Sequence, residues 1–215
     1  MSCKYQQLTS RFMDSLKITD EERLLDPRYD YCFCNTCCTK RGDRDYYRRG
    51  DPPETYFLPK DWRRFGVSLR LPEGISEGAV LESGHVCFYG PRSTNVESIL
   101  KLGFRTPERN GTDAHSYDKM TSAGVDTKQI FMSPSIQYAV NDAYAPVLRY
   151  YDHETRKEYS CKLVFQLRVR PRSYKVGHIT LQTGSIGRYI DDDHLMWSTT
   201  DMNAVVATGL LVKMT

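Results

Sequence analysis

The 215-residue chain has no long apolar run. The longest, Ala204 to Val212, falls well short of the roughly 20 residues that carry a helix across a bilayer, and the opening residues Met1 to Gln7 lack the apolar centre of a secretory signal. No membrane partner is expected, and the chain reads as intracellular, cytoplasmic or nuclear. Excess charge of one sign is missing as well: 30 Lys and Arg against 27 Asp and Glu leave +3. Residues 1–70 hold 14 basic and 11 acidic side chains and the remainder 16 of each, so the whole surplus lies in the first third. Bulk charge this small gives no argument for nucleic-acid binding, which calls for a clustered basic face and a pI above about 9. Seven cysteines, an odd number, argue against a disulfide framework when no secretory signal is visible, and leave reduced thiols or a metal site.

What is present is a globular composition: 40% hydrophobic and 27% charged residues, with 15 Tyr and 8 Phe. At about 150 residues per domain, the length allows one domain with an extension. Thr19-Asp20-Glu21-Glu22 reads as the acidic start of a short helix running towards Leu25. From Pro27 to Pro72 the text turns to Cys, Tyr, Gly and Pro and reads mostly as loop, until Val67 to Leu71 alternates as a strand does. Pro72 to Gly78 is a turn-rich break, and dividing the chain there gives an extension over 1–75 and a domain over 76–215.

The second part is more regular. His85 to Tyr89 is a compact strand closed by Gly90-Pro91. Thr94 and Glu97 have capping-box spacing, Val96, Ile99 and Leu100 share one helical face, and Gly103 stops the helix. The unit repeats: after a polar loop, Gln129 to Met132 forms a strand and Ser133-Pro134-Ser135 opens a helix with Ile136, Ala139, Val140 and Ala143 inward. Four strands follow, over 159–169, 173–176, 196–200 and 204–214. The fold class is therefore α+β with a mainly antiparallel sheet.

Three segments in this order, Phe88 to Phe104, Gln129 to Ala139 and Met196 to Met214, resemble the motif strands of the ADP-ribosyltransferase (PARP-like) superfamily. The Cys34 to Cys37 segment followed by Tyr46-Tyr47-Arg48-Arg49-Gly50-Asp51-Pro52-Pro53 resembles what precedes such a domain in neuralized-like proteins. The resemblance implies a split, bent antiparallel sheet of the ADP-ribosyltransferase type behind an irregular Cys/Tyr-rich N-terminal extension, with NAD as cofactor. It also implies a triad of His, Tyr and Glu, whose positions here hold Tyr89, Phe131 and Met196. Gly90, Pro91, Arg92, Ser93, Ser133 and Tyr138 fall where the cofactor would be held, with Arg109 a further candidate for its pyrophosphate.

The substitutions differ in chemical weight. Phe131 keeps a stacking face and loses a hydroxyl. Met196 replaces a carboxylate by a neutral thioether, which stabilises no cationic charge at a ribose. Loss of one such preorganised group costs about two to three orders of magnitude in rate. A carboxylate folded back from Asp191, Asp192 or Asp193 beside His194 is the alternative acid, against the plainer reading of a solvated turn. His85, about 13 Å from Tyr89 at 3.3 Å per residue, reads as structural. The expectation is thus a catalytically degenerate domain that binds a nucleotide or a protein. The alternatives are an active mono-ADP-ribosyltransferase with a non-standard triad, modifying an unidentified acceptor, or an RNA-binding protein.

The RNA alternative rests on Arg41, Arg44, Tyr46, Tyr47, Arg48, Arg49, Lys60, Trp62, Arg63 and Arg64, which interleave cations with aromatics; its plainer counterpart is a Tyr-rich loop packed on the domain. Cys34 and Cys37 have the chelate spacing of half a zinc site. Completing it requires a second pair from Cys3, Cys87, Cys161 or a histidine, and free thiols are the counter-reading.

Overall fold

The computed structural model describes residues 3–18, 23–104, 129–177 and 190–215. Its centre is one long hairpin partner, the 13-residue strand β8 (Lys157–Val169), laid against β11 (Val205–Met214). β11 is apolar at most positions, and the C-terminal half of β8 is buried at nearly every one, as in strands covered on two faces. Cys161, Leu163, Phe165, Leu167 and Val169 feed one core, and Val164 belongs to a second. Period-two alternation thus builds two cores on the two sides of a single sheet.

The sheet is antiparallel, in the order β1 (Tyr31–Cys32), β4 (Arg63–Gly66), β11, β8 and β5 (His85–Tyr89), with β7 (Leu148–Asp152) pairing the free end of β8. A three-stranded antiparallel sheet runs β6 (Ile130–Met132), β10 (Met196–Thr199), β9 (Lys175–Gly177), and β2 (Tyr46–Arg49) pairs β3 (Glu54–Phe57) as a hairpin. The helices are α1 (Lys4–Ser15), α2 (Asn35–Arg41), α3 (Ser93–Leu102) and the single turn α4 (Ile136–Ala139). Phe12 and Met13 of α1 and Val96 and Leu100 of α3 pack into the first core, while Phe33, Cys38, Tyr56 and Trp62 fill the second.

The α+β class and the antiparallel sheet agree with the sequence pattern. Several local expectations do not. Residues 27–72, expected to be mostly loop, also hold four short strands and a helix. The strand there is Arg63–Gly66, four residues ahead of the alternating Val67 to Leu71, because its backbone pairs with Val212 to Gly209 of β11, and Val67 makes only an isolated bridge to Leu25. Helix α3 is preceded by Arg92 with no side-chain cap, so the Thr94–Glu97 spacing closes no capping box. Its glycine stop is correct, Gly103 donating its N–H to the Ile99 carbonyl with φ +71°. In the second unit Ser135 caps the helix through Tyr138 N–H, and the helix ends at Ala139, short of Ala143. Arg23 to Leu25 is not helical, and the acidic start proposed at residues 19–22 lies outside the described residues, as does Arg109. Residues on both sides of the 75/76 division share one sheet and one core, since β1 and β4 extend the β11 side and Phe12, Leu24 and Phe65 join Phe165 and Leu210.

Candidate functional site

Two places gather chemistry. The first is built on cysteine. Cys3 stands at the N-cap of α1: its Sγ accepts from Gln6 N–H at 3.4 Å while its own N–H donates to Gln6 Oε1 at 2.8 Å, a reciprocal cap made with a thiol. Cys32 ends β1, Cys34 immediately precedes α2, and Cys37 sits in that helix's first turn. The strand-to-helix corner therefore turns three thiols toward the start of α1. Cys3 Sγ lies 3.8 Å from Cys32 Sγ and 3.7 Å from Cys34 Sγ, and all four sulfurs lie within 4.8 Å of one another.

Burial works against a charge on Cys3, but the Gln6 N–H and then the Cys37, Cys34 and Cys32 thiols outweigh it and hold its pKa below the ordinary value. Burial pushes Cys32 well up, and burial followed by bonds to Cys34 and Cys3 raises Cys37. A lowered Cys3 beside raised neighbours makes Cys3 the thiol of the group most readily deprotonated, and metal binding requires deprotonated sulfur. The cluster could hold a metal ion, and its sulfur donors suit a soft or borderline one. Cys34 and Cys37 are where the sequence put them; Cys3, one of the named candidates for completing the set, is there too. Cys32 was missed, although it stands two residues from Cys34. Cys87 and Cys161 are fully buried in the first core and belong to packing.

The second place is where β5, β6 and β10 meet. Phe88 and Ser133 form an antiparallel bridge with N–H to O distances of 2.7 and 2.9 Å, joining β5 to the end of β6. In β10 Ser198 faces Phe131 and Met196 faces Gly177. Phe131 and Met196 are therefore diagonal neighbours on one face of the three-stranded sheet. Tyr89, one residue past the bridge, belongs to the other face: it packs with the first core, edge-on to Phe104 at 5.2 Å. The structure brings Phe131 and Met196 together and aims Tyr89 elsewhere.

The surrounding candidates are tightly packed. A Cβ on Gly90 would come 2.2 Å from the Ala139 carbonyl and 3.0 Å from Tyr144 Cβ, so glycine is required here by the close passage of the chain after α4. Pro91 and Ser133 are buried, Arg92 is half-buried and Ser93 exposed. Ser133 Oγ accepts from Ser135 N–H at 3.0 Å, and Tyr138 is buried with its hydroxyl 3.2 Å from that of Tyr144. Asp191, Asp193 and His194 are exposed on a 3₁₀ turn, His194 Nδ1 2.7 Å from Asp193 Oδ1. His85 is structural: buried, it has Nε2 2.6 Å from the Pro52 carbonyl and Nδ1 2.7 Å from the Tyr174 hydroxyl. A carbonyl only accepts, so Nε2 carries a hydrogen and donates to Pro52.

Much of the basic–aromatic stretch is spent on structure. Trp62 is buried, Arg63 donates to Ser10 Oγ at 2.7 Å and lies 3.3 Å from Asp30, and Arg41 pairs with Asp43 at 2.7 Å, as Lys60 does with Asp45. Arg44, Tyr46, Arg48 and Arg49 remain exposed. Among the described residues, no helix is long and apolar enough to cross a membrane. No protein-family model matches the chain.

Proposed function

We propose that this protein is a domain of the ADP-ribosyltransferase type that has lost the group needed for catalysis and serves as a nucleotide- or protein-binding module. The observation that carries the reading is the diagonal placement of Phe131 and Met196 on one face of β6 and β10. The neighbours that register adds to that face, Ser198 and Lys175, contribute a hydroxyl and a cation but no carboxylate among the described residues. Phe131 offers an aromatic face to stack on a planar ring, while among the described residues of that face no anion is placed to stabilise an oxocarbenium-like ribose. The acidic turn at Asp191 to Asp193 is solvated, with Asp193 already engaged by His194. Calorimetric titration with NAD tests the reading: weak binding that Phe131→Ala reduces several-fold supports a nucleotide module. Binding that is absent in the parent moves the function to a protein partner, and tight binding with turnover contradicts the reading.

The metal of this reading is zinc, held by Cys3, Cys32, Cys34 and Cys37. At a Zn–S length of about 2.3 Å the edge of a sulfur tetrahedron is about 3.8 Å, and Cys3 Sγ lies 3.7 and 3.8 Å from the sulfurs of Cys34 and Cys32. Four protein ligands close the coordination sphere, which makes the role structural. Elemental analysis of protein purified without chelator is expected to find one zinc per chain; a trace only would return the cluster to reduced thiols.

A further inference from the structure

Two arginines lie sunk on the second-core face of the six-stranded sheet, beside the β2–β3 hairpin, with no carboxylate bonded to either among the described residues. Arg64 runs its stem from β4 across β11 at Gly209, where a Cβ would come 2.4 Å from Arg64 Cγ. It donates from Nη1 to Gln166 Oε1 on β8 at 2.9 Å and from Nε to the Tyr29 carbonyl at 2.8 Å. Gly209 closes the bulge that breaks the β11–β8 register after Ala207, so a strand irregularity and a glycine together clear the path for this side chain. Gln166 passes the network on, donating to the buried Tyr56 hydroxyl at 3.0 Å.

Arg168 is two residues along β8 from Gln166 and shares its face. It donates from Nη1 to the Gly84 carbonyl at 2.8 Å. The turn after Arg49 closes on that same carbonyl: a Cβ on Gly50 would lie 3.2 Å from it. Arg49 itself is exposed, its guanidinium 5.3 Å from the Tyr47 ring.

A guanidinium has five N–H donors; in these bonds Arg64 uses two and Arg168 one. The nearby acids are otherwise engaged or unpaired with them: Asp30 accepts from Gly66 N–H and lies against Arg63, and Glu54 faces Arg49 across the hairpin without an ion pair. Burial pushes Arg168 down to about 10, and the charges of Arg49 and Arg64 add to the effect. Arg64 and Arg168 are half-buried and flank Gln166 on one face, and the turn after the exposed Arg49 closes on the carbonyl that Arg168 bonds; half-buried cations with donors to spare are costly unless a counter-charge completes them, and a planar fork fits a tetrahedral oxyanion.

We propose that Arg49, Arg64 and Arg168 form a binding site for an oxyanion of the phosphate class at the seam between the β2–β3 hairpin and the sheet. The site uses none of the residues assigned to NAD, so NAD binding is a separate readout. The test titrates the full-length chain with inorganic phosphate, and in a second arm with phenyl phosphate, at ionic strength held constant with chloride, following the thermal midpoint. A saturable rise beyond the chloride control is expected. Arg49→Gln, a change at an exposed position that the fold tolerates, should raise the half-saturating concentration about tenfold, the loss of one charge-assisted contact, and leave NAD binding unchanged. Arg168→Lys should do the same. Response to both compounds assigns the site to a phosphate carried on a larger molecule, and response to inorganic phosphate alone assigns it to the free anion. A rise no larger than chloride gives, or a full response retained in both variants, overturns the proposal and makes the arginines purely structural.

Discussion

His85 shows how a residue with catalytic chemistry can be absorbed by structure. Its two ring nitrogens are both bonded inside the protein, to Pro52 and Tyr174, and its ring lies 6.2 Å from that of Trp197. His85→Phe keeps the volume but removes the partner of the Pro52 carbonyl and of the Tyr174 hydroxyl, both in part-buried bonds, and should cost about 2 kcal/mol in urea unfolding, at the lower end of about 1–3 kcal/mol per stranded group. A loss under 1 kcal/mol would mean that water already serves these groups. At Asp152, Arg11 donates from Nε and Nη2 at 2.7 and 2.8 Å, and Thr155 adds two more bonds. The Arg11 bonds, foremost, hold this carboxyl well below the usual carboxylate range. A depressed carboxylate stabilises the fold above its unfolded pKa of about 3.9, and that contribution is lost as pH falls through the lower folded value. Asp152→Asn should therefore lower stability at pH 7 and flatten the decline of stability below about pH 4; a variant whose acid limb parallels the parent's would disprove the linkage. Met196 gives the corresponding test of the proposed function. Because Tyr89 packs toward Phe104 and away from the face that holds Phe131 and Met196, Met196→Glu alone should raise NAD glycohydrolysis above the parent, and adding Tyr89→His should bring no further gain.

At the scale of elements, what could be read from the sequence follows from how strongly each segment's pattern is dictated by its own neighbours. β5 and β11 were legible because their apolar runs are buried on both faces, and α3 because Gly103 punctuates it. β2, β3 and β4 were not: Tyr46 to Arg49 is half charged and largely exposed, and Arg63-Arg64-Phe65-Gly66 reads as polar because both arginines are bonded at their tips while their stems pack on the sheet. Helix α1 went unread although Tyr5, Leu8, Phe12 and Met13 have helical spacing, since its cap is a cysteine and not one of the usual capping residues. Cysteine spacing gave Cys34 and Cys37, but no local pattern gives the approach of Cys3 from another element. The turn after α4 supplies a test at this scale. Gly90→Ala would drive a Cβ into the Ala139 carbonyl and should destabilise the fold by about 1–3 kcal/mol, the range for overpacking. Unchanged stability would show that the turn yields, and that the glycine is there for some other reason.

For the molecule as a whole, the cysteine cluster ties the first helix to the strand-helix corner at the far edge of the sheet, where β1 is the outermost strand. If the cluster holds zinc as proposed, chelation should lower the unfolding midpoint, because metal binding free energy is folding free energy. Cys3→Ser should reproduce that loss, while Cys161→Ser, at a core thiol, should leave the metal content unchanged. On the proposed function, the missing carboxylate at Met196 leaves the chain without NAD cleavage. The most direct measurement is nicotinamide release from NAD by the intact chain, followed by chromatography over hours with and without added protein acceptors. The account predicts release indistinguishable from the buffer blank; sustained release that disappears on mutating Asp192 or Asp193 would contradict it and establish an enzyme with a displaced acid.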